Sequence, residues 1–168
     1  MNTMKIRDAN PSDAIKLAEL IQQVDSTADF MLWEPGERKI QPENQQKMIE
    51  RFQKTNNSTI LVAEYDDQLI GYLFAIGGNA SRNKNTAYLV IGIHEQSRGK
   101  GVGTQLFKGI DQWAMRNKLH RLELTVVTKN SAGLSLYKKV GFEIEGTKRD
   151  SLFINGEYVD EYYMSKIL

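Results

Sequence analysis

The sequence predicts a single α/β (α+β) domain spanning 1–168, in which a mixed sheet of about seven strands carries helices on both faces. Three observations lead there. Short runs rich in β-branched and aromatic residues recur along the chain, as at Thr59–Tyr65 and Thr86–His94, and that is strand composition. Between them lie stretches with apolar residues at helical spacing, such as Val102, Leu106, Ile110 and Trp113. The two kinds follow one another in the order β-α-α-β-β-β-α-β-α-β-β, with no repeat or low-complexity tract between them.

Taken in order, Lys5-Ile6-Arg7 is a short strand, and Asn10-Pro11-Ser12-Asp13 supplies capping residues for a helix that carries Ile15, Ala18, Leu20, Ile21 and Val24. The segment Phe30 to Gly36 breaks that helix with an apolar cluster and a Pro-Gly turn. The cluster from Phe30 to Trp33 serves either core packing or the wall of a binding cleft. A second helix runs from about Glu43 to Lys54. Thr59–Tyr65 and Leu69–Ile76 form a hairpin around the turn chemistry of Asp66-Asp67-Gln68, and Asn79–Asn85 is a polar loop leading into Thr86–His94. A third helix starts near Gly101. Arg121–Thr128 alternates, with Leu122, Leu124 and Val126 on one face and Glu123, Thr125 and Val127 on the other. Asn130-Ser131 caps a fourth helix that Gly141 ends. Phe142–Glu145 and Tyr158–Met164 are the last strands, with Asn155-Gly156 as the hairpin signal between them.

Composition narrows the chemistry. The chain has no cysteine, which excludes disulfides, thiolate metal sites and an enzyme-bound thioester. Its two histidines have no companions at ligand spacing, so no metal is expected. With 22 basic and 21 acidic residues the net charge is +1, and no global field favours nucleic acid. No apolar run approaches the ~18 residues of a membrane span, and Met1 to Lys16 lacks the apolar centre of a signal peptide. A soluble, cytoplasmic protein is expected. Any anion site must be local.

The stretch Leu89 to Thr104 offers one. A strand feeds through Gly99, Gly101 and Gly103 into a helix, which aims backbone N–H groups and the positive end of the helix dipole at one place. That is a seat for a phosphate or pyrophosphate, although a tight turn with helix capping also explains the glycines. The loop is neither a dinucleotide fingerprint, whose sixth place here is Thr104, nor a G-x-x-x-x-G-K-[S/T] phosphate loop. Gly92 interrupts an Ile/Val-rich strand and suggests a bulge or a close backbone approach, which would free the N–H of Ile93 for an amide-bearing ligand or a developing oxyanion.

Arg98-Gly99-Lys100-Gly101-Val102-Gly103 resembles the acetyl-CoA pyrophosphate loop of the GNAT superfamily of N-acetyltransferases. Asn130 through Phe142 is similar to that family's second signature, Asn-x-x-Ala-x-x-Leu-Tyr-x-x-x-Gly-Phe, with Gly133 where alanine is usual. The resemblance implies a central, twisted, mostly antiparallel sheet with acetyl-CoA as co-substrate. It also implies that backbone groups of Ile91 and Ile93, on either side of Gly92, hold the pantetheine arm like an added strand. The N–H groups from Gly99 to Thr104, Val102 included, would cradle the pyrophosphate, with charge from Arg98 and Lys100. Asn130 would bond the pantetheine or line the cleft, besides being a good N-cap. Tyr137 would sit beside the thioester sulfur as the proton donor.

The activity so implied is direct transfer of an acetyl group to a primary amine of a small molecule, amino acid or peptide N-terminus. A catalytically silent acyl-CoA sensor is the alternative, and an ATP-binding phosphoryl-transfer enzyme a more distant one. Many family members carry a carboxylate base on the fourth strand, yet Thr86-Ala87-Tyr88-Leu89-Val90 has none. Glu34 and Glu123 are the remaining candidates on the substrate side, each of which also reads as a surface carboxylate. The missing base favours α-amines or small amines, since an α-amine with a pKa of ~7.7 is already partly neutral at cellular pH. Expected partners are the amine substrate and at most a second copy in a homodimer, with no nucleic acid and no membrane.

Overall fold

In the computed structural model, which describes residues 3–168, the strands are β1 (Lys5–Asp8), β2 (Thr59–Tyr65), β3 (Gln68–Gly77), β4 (Thr86–Ile93), β5 (Arg121–Val127), β6 (Glu143–Ile154) and β7 (Glu157–Ile167). The helices are α1 (Ala14–Thr27), α2 (Pro42–Gln53), α3 (Val102–Arg116) and α4 (Ser131–Lys139). Met1 and Asn2, the start of the expected domain, lie outside the described residues. The strands form one sheet in the order β1-β2-β3-β4-β5-β7-β6, as mixed as the element order requires. Only the β4–β5 pair is parallel, because α3 carries the chain back across the sheet between them; hairpins and returns make the other neighbours antiparallel.

Both short hairpins use residues that tolerate positive φ. Asp66 and Asp67 (φ 53° and 60°) turn β2 into β3, and Asn155 and Gly156 (φ 51° and 79°) turn β6 into β7, the left-handed pairs that match strand twist. In the first hairpin the pairing steps from Ala63↔Gly71 to Glu64↔Leu69, so Ile70 is an extra residue in β3.

The helices bury their apolar stripes on opposite faces of the sheet. On one face Leu17, Leu20, Ile21 and Val24 of α1 and Ile49 and Phe52 of α2 pack against Ile60, Val62 and Tyr72. On the other, Val102, Leu106, Phe107, Ile110 and Trp113 of α3 pack against Leu61, Leu73, Leu89, Leu122 and Leu124. Each large apolar side chain so buried contributes about 1.5–3 kcal/mol, which is why a chain of mixed composition holds two cores. No residue of α4 is fully buried; Leu134, Leu136 and Tyr137 lean on the α3 core. Lys166 on β7 fixes its far end, donating to Asp111 of α3 (2.6 Å) and to the Val140 carbonyl (2.8 Å).

The last two strands are longer than the sequence suggests. Phe142–Glu145 becomes a 12-residue strand from Glu143 to Ile154, and Tyr158–Met164 becomes an 11-residue strand. Most side chains of β6 are exposed, so the strand is held by pairing with β7 and carries little apolar alternation to betray it. No helix among the described residues is long and apolar enough to cross a membrane.

Candidate active site

The site is made by two strands that stop pairing. β4 and β5 share three parallel rungs, Thr86↔Arg121, Ala87↔Leu122 and Tyr88↔Glu123, and then separate. β4 stays paired to β3 as far as Gly71↔Ile93, and β5 to β7 as far as Val127↔Glu161. A wedge opens between them. Because the His94 N–H bonds across to the Ile70 carbonyl (2.8 Å), strand alternation turns the backbone of Ile91 and Ile93 the other way, toward the space that β5 has left. An edge of unpaired amide groups therefore lines the wedge. Beside the last rung the hydroxyl groups of Tyr88 and Thr125 bond at 2.9 Å and bridge the two strands.

Of the two readings of Gly92, the bulge is corrected and the close approach holds, made by a side chain. The β3–β4 register runs without a shift through Tyr72↔Gly92, so no bulge is present. Glycine is needed there because a Cβ would lie 2.3 Å from the Tyr72 ring and 2.4 Å from its hydroxyl. The backbone groups are freed by the departure of β5.

The glycine loop comes next in the chain. Gly99 and Gly101 have φ of 73° and 85°, a region that favours glycine, and Gly101 caps α3. Arg98 N–H donates to Glu95 and Gln105 N–H to Gly101, while no loop, turn or cap carbonyl accepts from residues 99–104. Those amides converge at the N-terminus of a 15-residue helix, where an anion is stabilised. A Cβ on Gly103 would lie 2.7 Å from the Leu136 side chain, so this glycine lets α4 approach α3.

A cavity of about 1280 Å³ runs through the wedge and is lined from both faces of the sheet. From β4 come Ile91, Gly92 and Ile93, and from the loop and α3 come Arg98, Gly99, Gly101, Val102, Gly103 and Thr104. Asn130 and Tyr137 line it from α4, where the Asn130 side chain also accepts the Gly133 N–H (3.0 Å) as a cap. Gly133 leaves room for that amide, since a Cβ would come within 2.7 Å of it.

Three expected residues are placed elsewhere. Lys100 is exposed and does not border the cavity. Glu34 sits on an exposed turn, where its N–H bonds the Glu37 carboxylate (2.8 Å). The Glu123 carboxylate is held by Arg121 (2.8 Å), and neither glutamate lines the cavity. Arg98 borders the cavity but does not turn its charge to the glycine amides. Its guanidinium donates to the Ile93 carbonyl (3.2 Å) and to the Thr27 hydroxyl (2.9 Å), strapping the end of β4 to the end of α1.

The ring of Tyr137 is fixed edge-on against Phe107 (5.7 Å) and Phe142 (6.4 Å). Burial pushes its phenol up to about 12, so it stays protonated and keeps an O–H to donate. On the opposite face the cavity is walled by residues that motif reading does not reach. They include Phe30, Met31 and Trp33 of the apolar cluster, Arg38, Gln45, Tyr72, Phe74 and the carboxylate of Glu161. The cluster whose role was open between core and cleft thus borders the cleft.

A family model, the acetyltransferase (GNAT) family, matches residues 26–142, most of the chain and both motif regions. The chain belongs to the GNAT family. It is an acetyltransferase of that family with acetyl-CoA as co-substrate. The L-amino acid N-acetyltransferase AaaT of Escherichia coli is 35% identical over 111 residues, covering 64% of this chain and 67% of the relative. The crystal structure of a GNAT-family acetyltransferase from Streptococcus pneumoniae superposes with a TM-score of 0.94, at 26% identity and with 99% of both chains covered. YncA of Salmonella typhimurium, solved with its cofactor acetyl-CoA, has a TM-score of 0.86 at 22% identity, covering 98% of this chain and 94% of its own. The cradle of residue 99–104 amides, the free edge of Ile91 and Ile93 and the cavity between them suit a GNAT co-substrate that is a diphosphate at one end and an amide-bearing arm at the other.

Proposed function

We propose that this GNAT enzyme acetylates the α-amine of a small amino acid-like acceptor. The observation that carries the reading is a cavity entered from both faces of the sheet at the wedge, with the Ile91 backbone and the Ile93 N–H, free of any strand partner on that side, between a helix-terminal anion seat and an aromatic, apolar wall. Acetyl-CoA, when bound, supplies the thioester whose acetyl group is transferred. The amides of residues 99–104 hold its diphosphate, and Ile91 and Ile93 hold its arm. The Ile93 N–H donates to the negative charge that develops on the carbonyl oxygen, a contribution worth ~3 kcal/mol in comparable sites. The Ile93 carbonyl, which lies in the following peptide unit, is already occupied by Arg98.

Tyr137 keeps its proton and hydrogen-bonds the departing sulfur. With the phenol pushed up to about 12 and an alkyl thiol near ~8.5, complete transfer is on the order of 5 kcal/mol uphill, so the hydrogen bond, not the transfer, is its contribution. Glu161, half-buried on the acceptor wall, is the carboxylate we assign to receive the amine's proton, directly or through water. Arg38, Arg98, Lys139 and Lys148 border the cavity against only Asp29 and Glu161, a balance that disfavours polycationic acceptors such as polyamines. The activity of AaaT toward L-amino acids supports the same substrate class. Tyr137 inside the cavity supports catalysis over a silent acyl-CoA sensor.

The test is a free-thiol release screen with acetyl-CoA across L-amino acids, peptides with free N-termini, polyamines and aminoglycosides. Fastest release with amino acids is the expected outcome. Release with polyamines alone, or with no amine, overturns the reading.

A further inference from the structure

Two polar atoms on the acceptor wall have no hydrogen-bond partner among the described residues although they are buried, the Tyr72 hydroxyl and the Gln45 side-chain oxygen. Their residues are only 2% and 7% exposed, and both border the cavity. A buried polar atom left unpaired is expensive, so such atoms in a cavity wall mark the place of a ligand's polar groups. Beside them lies Arg38. Its Nε and one terminal nitrogen donate to Asp25 (2.8 and 3.3 Å), and Trp33 covers one face of the guanidinium at 5.3 Å. Asp25, 4% exposed at its side chain, therefore holds Arg38 in one orientation and leaves the other terminal nitrogen with no partner in the described residues. The close contact of Tyr72 with Gly92 brings this group of residues up to β4 between Ile91 and Ile93, where the acyl group is to be held. Met31, Met48 and Phe74 add an apolar stretch to the same wall.

We propose that Arg38, Tyr72 and Gln45 form a carboxylate-reading subsite, which selects α-amino acids with apolar side chains over amines that lack a carboxylate. The inference rests on the amino-acid reading above and goes beyond it by naming the groups that enforce it. The free edge of Arg38 and the Tyr72 O–H donate to the carboxylate, since both are donors and the guanidinium is planar and always charged. The Gln45 oxygen accepts from the substrate's amine, which orients the nitrogen toward the acyl group. Met31, Met48 and Phe74 take the apolar side chain. An amine without the carboxylate leaves the Arg38 edge and Tyr72 without that partner, and that rejection is stronger than any a purely apolar pocket gives.

The experiment compares L-leucine, L-leucinamide and isopentylamine as acceptors in the thiol-release assay, with acetyl-CoA binding followed by calorimetry. For the wild-type chain, kcat/KM is expected to be ~100-fold higher for leucine than for isopentylamine, with leucinamide between. Arg38→Gln should lower the leucine value by ~100-fold, leave isopentylamine and acetyl-CoA binding unchanged, and so erase the preference; Arg38→Lys should restore part of it. Tyr72→Phe keeps the Asp25 pair intact, and it carries the test even where Arg38→Gln does not fold. It should raise the KM for leucine by ~10-fold with kcat and Tm held, because it removes an unpaired hydroxyl and no hydrogen bond of the described residues. Equal loss for leucine and isopentylamine in Arg38→Gln, an unchanged KM in Tyr72→Phe, or a wild-type chain indifferent to the carboxylate overturns the subsite while amino-acid acetylation stands. Acetylation of peptides or polyamines with no amino acid accepted overturns the reading beneath it.

Discussion

The two halves of the cavity are built from different material. On the side proposed for the co-substrate the groups are backbone amides, those of Ile91, Ile93 and residues 99–104, presented by a strand edge and a helix terminus. On the acceptor side they are side chains, Arg38, Gln45, Tyr72 and Phe74, brought together from a loop, a helix and a strand. A backbone site can bind only what every member of a family shares, a diphosphate and an amide arm. A side-chain site can be rewritten by substitution without disturbing the fold, which suits the half that must recognise one particular amine.

The halves meet at Gly92, and the largest expected effect is there. Gly92→Ala places a methyl group 2.3 Å from the Tyr72 ring, so the ring or β4 must shift; a loss of about 1–3 kcal/mol in stability is expected. Affinity for acetyl-CoA and KM for the acceptor should worsen together, as titration calorimetry and steady-state kinetics would show. A defect confined to one ligand would mean that the halves are independent. Next comes Tyr137→Phe, which should lower kcat by ~100-fold with little change in acetyl-CoA affinity. Because burial raises the phenol to about 12, its proton is present at every assay pH and lost only above that value. The pH profile of kcat/KM should therefore rise as the acceptor's amine deprotonates and show no falling limb from Tyr137 up to about pH 10. A falling limb in that range would show that Tyr137 is not so buried. The smallest effect belongs to Arg98→Gln. As a strap between Ile93 and Thr27, Arg98 should give up ~10-fold in kcat while the salt dependence of acetyl-CoA binding holds; a flatter salt dependence would make it a phosphate ligand.

The same contrast explains what the sequence discloses. The glycine loop and the Asn130–Phe142 signature are legible because positive φ, helix capping and a ring on a short helix are local demands that leave local marks. Tyr72 and Gln45 leave none: each reads as an ordinary strand or helix residue, and only the packing of α1 and α2 on the sheet shows their polar atoms stranded. Arg98 is legible as a cation beside a glycine-rich loop, but its direction depends on Thr27, 71 residues away. Gly92 signals a constraint whose cause, a ring on the neighbouring strand, lies outside its own segment. β6 fails for another reason, since an exposed edge strand held by hydrogen bonds needs no apolar period.

The three rungs that join β4 to β5 also divide the sheet mechanically. β1–β4 and β5–β7 are two rafts, coupled by a short parallel seam and by α3 lying across part of the join. An arm that bonds Ile91 and Ile93 extends that seam, so the ligand acts as a splint as well as a reactant. Free protein should breathe along the seam, with fast amide exchange at the open edges of β4 and β5. Saturation with the co-substrate at 100 times its Kd should add about 2.7 kcal/mol to the stability of the whole sheet, and its release with the product should return the rafts to their looser coupling.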